Sequence, residues 1–242
     1  MPATKPRPPA PLYEQIRQLI VAALAAGEWR PSDALPSEAA LAERFAVSAG
    51  TVRRALDELA AAHLVERRQG SGTFVSTHAA PRQPFRFLRL VPDDGNELFS
   101  RELLGCRRLR ASAEVARALA LRAAEPVIEV RRLLHRRGRP VVLEELWLAQ
   151  RYFEGLSAEV IEGHSGALYA LFEARFGVHM VRAEEKLRAV RAAPEAARLL
   201  QVSEGQPLLS VERLAFTYGD RPVELRRGLY YTENDHYRND LN

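Results

Sequence analysis

A duplication in the second half constrains this chain more than any other feature. Sliding the 242 residues against themselves aligns ASAEVARALALRAAEPVIEVRRLLHRRGRPVVLEELWL from Ala111 with AAPEAARLLQVSEGQPLLSVERLAFTYGDRPVELRRGLY from Ala192. Glu114 falls on Glu195, Arg117 on Arg198, Leu119 on Leu200, Pro126 on Pro207, Arg132 on Arg213 and Gly138 on Gly219. After one inserted residue, Pro140 falls on Pro222 and Leu143 on Leu225. Each copy reads as a helix, a strand, a glycine turn and a second strand. With a strand expected before each helix, near Leu103–Arg110 and Arg182–Arg191, this makes two β-α-β-β units. Their hairpins demand antiparallel pairing, hence an α+β sheet. Between the copies Leu168, Leu171, Phe172 and Phe176 recur at helical spacing, and Gly177 caps them.

The first third has a different period. Leu12, Ile16, Leu19, Ile20, Ala23 and Leu24 fall at helical spacing over Pro11–Ala26, and Gly27 closes that helix. After the turn Trp29–Asp33, Ser37 is the expected N-cap of a second helix that carries Leu41 and Phe45 inward. Ala46-Val47 makes a tight turn, Ser48 caps a third helix, and Val52, Ala55, Leu56 and Leu59 form its buried stripe. Past His63 the period becomes that of strands: Leu64–Arg68, the tip Gln69-Gly70-Ser71-Gly72, then Thr73-Phe74-Val75. Three helices, the last two joined by a tight turn, followed by a hairpin with a glycine-rich tip, describe a winged helix-turn-helix. The expected organisation is a flexible N-terminus over 1–10, a winged helix-turn-helix over 11–78, a proline-containing linker over 79–84 and an effector-binding and dimerisation domain over 85–242.

Composition enters as a filter. A single cysteine, Cys106, forms no internal disulfide, and no apolar run reaches the ~20 residues of a membrane span. Met1–Pro11 lacks a signal peptide's hydrophobic stretch, so a cytoplasmic protein is expected. The net charge of +4 is concentrated neither in the head nor in the duplicated half. Met1–His78 carries nine basic against eight acidic residues, and Arg82, Arg86 and Arg89 supply most of the excess around the linker. Nucleic-acid binding must therefore be argued from positions.

In a helix-turn-helix the second helix enters the major groove by its N-terminal end. That makes Ser48, Gly50, Thr51, Arg53 and Arg54 the informative residues. The hydroxyls of Ser48 and Thr51, with the unpaired N–H groups of the first turn, suit a backbone phosphate. Arg53 and Arg54 suit guanine O6 and N7. Ser37 faces phosphate across the groove. At the wing, Gly70 and Gly72 let the backbone lie close to DNA while Arg67 and Arg68 supply charge. The competing reading is a solvated helix face on which Arg53 pairs with Asp57 and Arg54 with Glu58 at i+4.

PLYEQIRQLIVAALAAG followed by LPSEAALAERFAVSAGTVRRALDELAAAHLVERRQGSGTFV resembles the DNA-binding domain of the GntR superfamily of bacterial transcription regulators. The match lies in Leu35-Pro36-Ser37-Glu38, Leu41-Ala42, Val47-Ser48, Thr51-Val52-Arg53, Ala55-Leu56, Leu64-Val65 and Gly72-Thr73-Phe74. Three positions depart from the family pattern. Ala39 and Ala49 stand where DNA-contacting arginines are usual, and His63 where glycine is usual. At ~1–3 kcal/mol per bidentate base contact, the losses move affinity and specificity onto Arg53, Arg54, the hydroxyls and the wing.

The second half resembles the UTRA effector-binding domain of the HutC subfamily, which implies a chorismate lyase-like fold. The resemblance rests on Arg132-Leu133 before Gly138-x-Pro140, Glu144, Leu168-Tyr169, Pro207-Leu208-Leu209, Arg213 and Pro222-Val223-Glu224. A duplicated scaffold whose polar positions differ suggests a ligand site between the copies. Glu144 aligns with Arg226 while Arg132 and Arg213 agree, and Glu224 and Tyr230 lie on the last strand. The expected site is Arg132, Glu144, Arg213, Glu224, Arg226 and Tyr230, holding a small polar or anionic effector. The alternative is that these residues form cross-strand ion pairs on a solvated sheet face. The resemblance also implies a sugar-phosphate grip by a second arginine and a serine, but here Leu134 and Ala167 occupy those positions.

The expected protein is a metabolite-responsive repressor that binds a pseudo-palindromic operator on double-stranded DNA as a homodimer. No membrane association, cofactor, metal or catalytic residue is expected. The six histidines are scattered without metal-ligand spacing, and Gly-x-Ser-x-Gly and phosphate-binding glycine loops are missing. The rival is an enzyme with an appended DNA-binding head.

Overall fold

The computed structural model describes residues 10–78, 89–94 and 99–239. The expected linker over 79–84 and all but the last residue of the expected N-terminal segment lie outside them. The chain divides into two units, Met1–Thr77 and His78–Asn242.

The first unit packs α1 (Leu12–Ala25), α2 (Glu38–Phe45) and α3 (Ala49–Ala61), followed by β1 (Val65–Arg68) and β2 (Gly72–Val75). Ser37 and Ser48 are N-caps, accepting from the N–H groups of Ala40 and Thr51 at 3.2 Å each. Between α2 and α3 the chain reverses through Ala46, held in the left-handed region at φ +52°. Ile16, Ile20 and Leu24 of α1, Leu41 of α2 and Val52, Ala55, Leu56 and Leu59 of α3 are the buried residues of these helices, and α3 contacts both others. The buried row of α1 is narrower than the helical spacing implies: Leu12 and Leu19 stay 59% and 51% exposed. Phe45 is only half-buried. The hairpin is antiparallel with Val65 opposite Val75 and Arg68 opposite Gly72. Residues 32–35 add to its outer edge, Leu35 N–H donating to Thr73 O (2.8 Å) and Val75 N–H to Asp33 O (2.9 Å). No periodicity announces that addition.

In the second unit a short pair, β3 (Leu90–Pro92) with β10 (Asp235–Tyr237), accompanies a six-stranded sheet. In chain order the large sheet uses β4 (Ser100–Arg110), β5 (Pro126–Arg136), β6 (Arg139–Ala149), β7 (Arg182–Arg191), β8 (Pro207–Thr217) and β9 (Arg221–Tyr230). The strand order β4-β5-β6-β9-β8-β7 places the two copies as pseudo-symmetric halves that meet along β6 and β9. Every pairing is antiparallel. The duplication extends to irregularities, since the register shifts at Leu134/His135 in one copy and at Ala215/Phe216 in the other. The inserted residue lengthens the second hairpin loop: Arg136 pairs with Arg139, but Thr217 pairs with Arg221.

Helices α4 (Ala113–Ala118) and α7 (Pro194–Leu200) occupy equivalent places in the two copies, while α5 (Ala158–Glu162) and α6 (Leu168–Phe176) lie between them in sequence. The sheet is apolar on both faces. Ile128, Val130, Leu146 and Leu148 pack with Leu168, Leu171 and Phe172 of α6. Leu133, Leu143 and Leu208 pack with Ala196, Ala197 and Leu200 of α7, and Val127 and Leu225 with Val115 and Leu119 beside α4.

Candidate functional site

The first unit presents the N-terminal end of α3 outward. Ser48, Ala49, Gly50, Arg53 and Arg54 are exposed, and Ser48 Oγ lies 2.9 Å from Thr51 Oγ1. The two hydroxyls expected to meet phosphate are thus already held together by the cap. An alanine Cβ at Gly50 would meet nothing closer than Ser48 Oγ, at 3.8 Å, so the protein interior does not require glycine there. Gly70 and Gly72 take φ +73° and +113°, backbone that the wing tip demands.

The arginines are exposed, but they are not paired along their own helix. Arg53 donates from Nε to Glu38 Oε2 at 2.9 Å, a partner on α2. Arg67, from the wing, reaches both Glu38 Oε1 (3.2 Å) and Asp57 Oδ1 (2.7 Å). Glu38 therefore gathers the recognition helix and the wing, and the hydrogen bond from Arg53, aided by both positive charges, lowers its pKa. Arg54 lies over the Tyr13 ring, its guanidinium carbon 3.9 Å from the centroid, and Glu58 pairs with Arg17 instead. The i+4 pairs of the competing reading are replaced because α1 brings Tyr13 and Arg17, α2 brings Glu38 and the wing brings Arg67 within reach of α3. Arg68 covers Phe74 (4.2 Å) and pairs with Glu66 (3.6 Å). Ala39 and Ala49 are exposed and bring no guanidinium at their own positions.

In the second unit the sheet register brings the six expected effector residues together. Arg132 opposes Glu144, Leu146 opposes Arg226, and Arg226 opposes Arg213. Paired residues of neighbouring strands point to the same side, so these side chains share one face. That face is buried. Glu144 and Glu224 have no exposed surface, and Arg132, Arg213, Arg226 and Tyr230 are all buried. The alternative reading holds for the cross-strand ion pairs but not for a solvated face, because α6 and the segments around it cover these strands.

The cluster is charge-matched. Arg132 donates to Glu144 at 2.6 Å, and Arg226 to the other oxygen of Glu144 at 3.0 Å. Arg226 also grips Glu224 with Nε and Nη2, at 2.9 and 3.2 Å. Arg213 donates to Glu185 at 2.6 Å. Burial pushes the Glu144 carboxyl up, but Arg132 and Arg226 outweigh it and bring the pKa to about 2. Burial pushes the Tyr230 hydroxyl up to about 12. Tyr169 of α6 closes the cluster, donating to Glu224 at 2.7 Å beneath the Arg226 guanidinium. Gly228 makes room, since a Cβ there would stand 2.4 Å from the Tyr230 ring.

Tyr169, Glu185 and Glu38 are not among the expected site residues; the available signals were the Leu168-Tyr169 pair in the UTRA resemblance and the Leu35-Pro36-Ser37-Glu38 run in the GntR resemblance. Leu134 packs in an apolar cluster and Ala167 caps α6 without a side-chain hydrogen bond, so neither supplies a phosphate grip. None of the six expected residues lines a separate polar pocket of ≈ 820 Å³ bordered by Arg139, Gln201, Ser203 and Tyr231. No helix among the described residues is long and apolar enough to cross a membrane.

A winged helix-turn-helix joined to a duplicated antiparallel domain with a buried polar cluster defines a two-domain DNA-binding regulator. Residues 12–75 match the bacterial regulatory proteins of the gntR family and residues 98–237 match the UTRA domain; the chain belongs to this family of transcription regulators. It is 30% identical over 227 residues to the mannosyl-D-glycerate transport/metabolism system repressor MngR of Escherichia coli, covering 93% of each chain. With the histidine utilization repressor of Pseudomonas putida it shares 29% identity, covering 90% of this chain and 87% of that one. Among solved structures, the ligand-binding domain of a GntR-family protein from Bordetella bronchiseptica is 56% identical. It matches with a TM-score of 0.63, covering 65% of this chain and 98% of its own.

Proposed function

We propose that this protein is a cytoplasmic repressor that binds a pseudo-palindromic operator as a homodimer and releases it when a small polar or anionic effector occupies the second domain. The observation that carries the reading is the buried cluster of Arg132, Glu144, Arg213, Glu224 and Arg226, with Tyr169 and Tyr230, in the same chain as an exposed recognition helix. A buried, fully paired network is a high-stakes arrangement that a polar ligand can rearrange by exchanging hydrogen bonds. With Leu134 and Ala167 in place of the phosphate-gripping residues, the effector is not expected to be held by a phosphate group.

DNA is assigned to Ser37, Ser48, Gly50, Thr51, Arg53, Arg54, Arg67, Arg68, Gly70 and Gly72. Two half-sites ~34–36 Å apart, or a multiple, require two heads, which is the argument for a dimer formed through residues 85–242 with 79–84 as the connection. Coupling needs the effector to prefer the DNA-free arrangement; ~1–3 kcal/mol moves operator affinity about 5- to 150-fold. Binding is favoured over catalysis because both buried carboxylates of the cluster, Glu144 and Glu224, are already paired with arginine and do not offer a free general base.

The test is a gel shift on DNA upstream of the protein's own gene at increasing salt, repeated with metabolites that raise the melting temperature in a thermal-shift panel. Salt-sensitive retardation relieved by a hit, which is recovered chemically unchanged, is the expected result. Absence of retardation on every genomic fragment overturns the DNA assignment, and turnover of the hit overturns the binding assignment. Tyr169→Phe removes one hydroxyl from the cluster and should weaken the effector response while leaving retardation intact.

A further inference from the structure

We propose that His78, Glu173 and His179 bind one divalent transition-metal ion of the zinc class. His78 is the first residue of the second unit, Glu173 lies in the last turn of α6, and His179 follows two residues after Gly177, which ends that helix in the left-handed region at φ +65°. This reversal folds His179 back onto α6. One ligand atom from each residue lies within 4.8 Å of the others, and all three side chains are buried.

The arrangement points to an ion rather than to packing alone. His179 Nδ1 stands 2.9 Å from Glu173 Oε2, which also accepts the backbone N–H of His78 at 2.9 Å. An imidazole nitrogen and a carboxylate oxygen therefore already face one another, and an ion between them replaces the proton they share.

The rings are also held in place. His179 stacks on Tyr218 with centroids 5.6 Å apart and planes 8° from parallel, and its centroid is 4.6 Å from that of His78. Donors around a tetrahedral ion with bonds of about 2.0–2.1 Å stand about 3.4 Å apart, so side-chain rotations of about an ångström close the cluster. Two imidazoles and one carboxylate select zinc-class ions over calcium or magnesium, which prefer oxygen donors. The fourth position is left to water.

The full-length protein, stripped with chelator and dialysed, is titrated with Co²⁺ and then Zn²⁺. The expected result is one equivalent per chain, a visible Co²⁺ spectrum that Zn²⁺ bleaches, and a rise in melting temperature. His78→Gln, Glu173→Gln and His179→Gln should each weaken binding about 10- to 100-fold or more, whereas His236→Gln, at an exposed position, should not. Absence of binding by the wild-type chain at micromolar metal overturns the proposal. So does unchanged binding in His78→Gln or His179→Gln that melt as wild type does in chelator. Because the wild-type titration needs no variant, misfolding of a substituted chain does not rescue the proposal.

Discussion

His63 occupies a left-handed backbone position, φ +56°, immediately after α3, where its N–H closes onto Ala60 O and that of Leu64 onto Leu59 O. The GntR resemblance implies glycine there, and a residue with a Cβ is strained in this region by roughly 1 kcal/mol. His63→Gly should raise the stability of the first unit by about 0.5–1 kcal/mol in urea unfolding while leaving DNA affinity unchanged. Gly50 makes the opposite case. It sits in the first turn of α3 at an ordinary helical φ, where an added Cβ would make only an ordinary contact with Ser48 Oγ. Gly50→Ala should therefore stabilise α3 by up to about 1 kcal/mol. If close approach of DNA backbone is the reason for glycine, the same change weakens operator binding. Stability and affinity measured together separate the two roles, and unchanged affinity removes Gly50 from the interface.

Glu38 ties α2, α3 and the wing together through Arg53 and Arg67, so the DNA-facing elements are linked by charge as well as by their apolar core. The pairs are exposed and contribute little to stability, typically well under 1 kcal/mol each. Their consequence is for binding, because Glu38 orients Arg53 and also presents negative charge towards phosphate. Glu38→Gln should leave the melting temperature nearly unchanged, tighten binding to nonspecific DNA with a steeper salt dependence, and narrow the preference for the operator. Fluorescence anisotropy on operator and random duplexes at several salt concentrations checks this; parallel shifts on both duplexes would deny Glu38 a role in orienting Arg53.

The duplicated sheet places a charged cluster where a simple antiparallel domain would have apolar side chains, and its stability responds to pH accordingly. Glu144 has a folded-state pKa of about 2 against an ordinary 4.5, so its contribution is complete above the unfolded value and is lost as pH falls from there towards 2. The melting temperature of the second unit should decline through that acid window while its far-ultraviolet circular dichroism persists to lower pH. Glu144→Ala leaves Arg132 and Arg226 buried without that partner and should destabilise the unit by about 3–5 kcal/mol at neutral pH, removing the part of the acid dependence that Glu144 supplies.

What could be read directly was local or repeated. Caps at Ser37 and Ser48, the α3 stripe, the wing turn and the two β-α-β-β copies all follow from short-range spacing, which a chain carries in its own order. Opposite charges at Glu144 and Arg226 marked the cluster, because duplication made the two strands comparable. Partner choice was not legible. Arg53 selects Glu38 rather than Asp57, Arg213 selects Glu185, and Tyr169 joins Glu224, because α-helix and strand periodicities state which side a residue faces but not which distant element will cover that side. Burial of the arginine cluster, and the meeting of His78 with Glu173 and His179, belong likewise to packing: they depend on α6 and the turn after it closing over strands and segments far away in the chain.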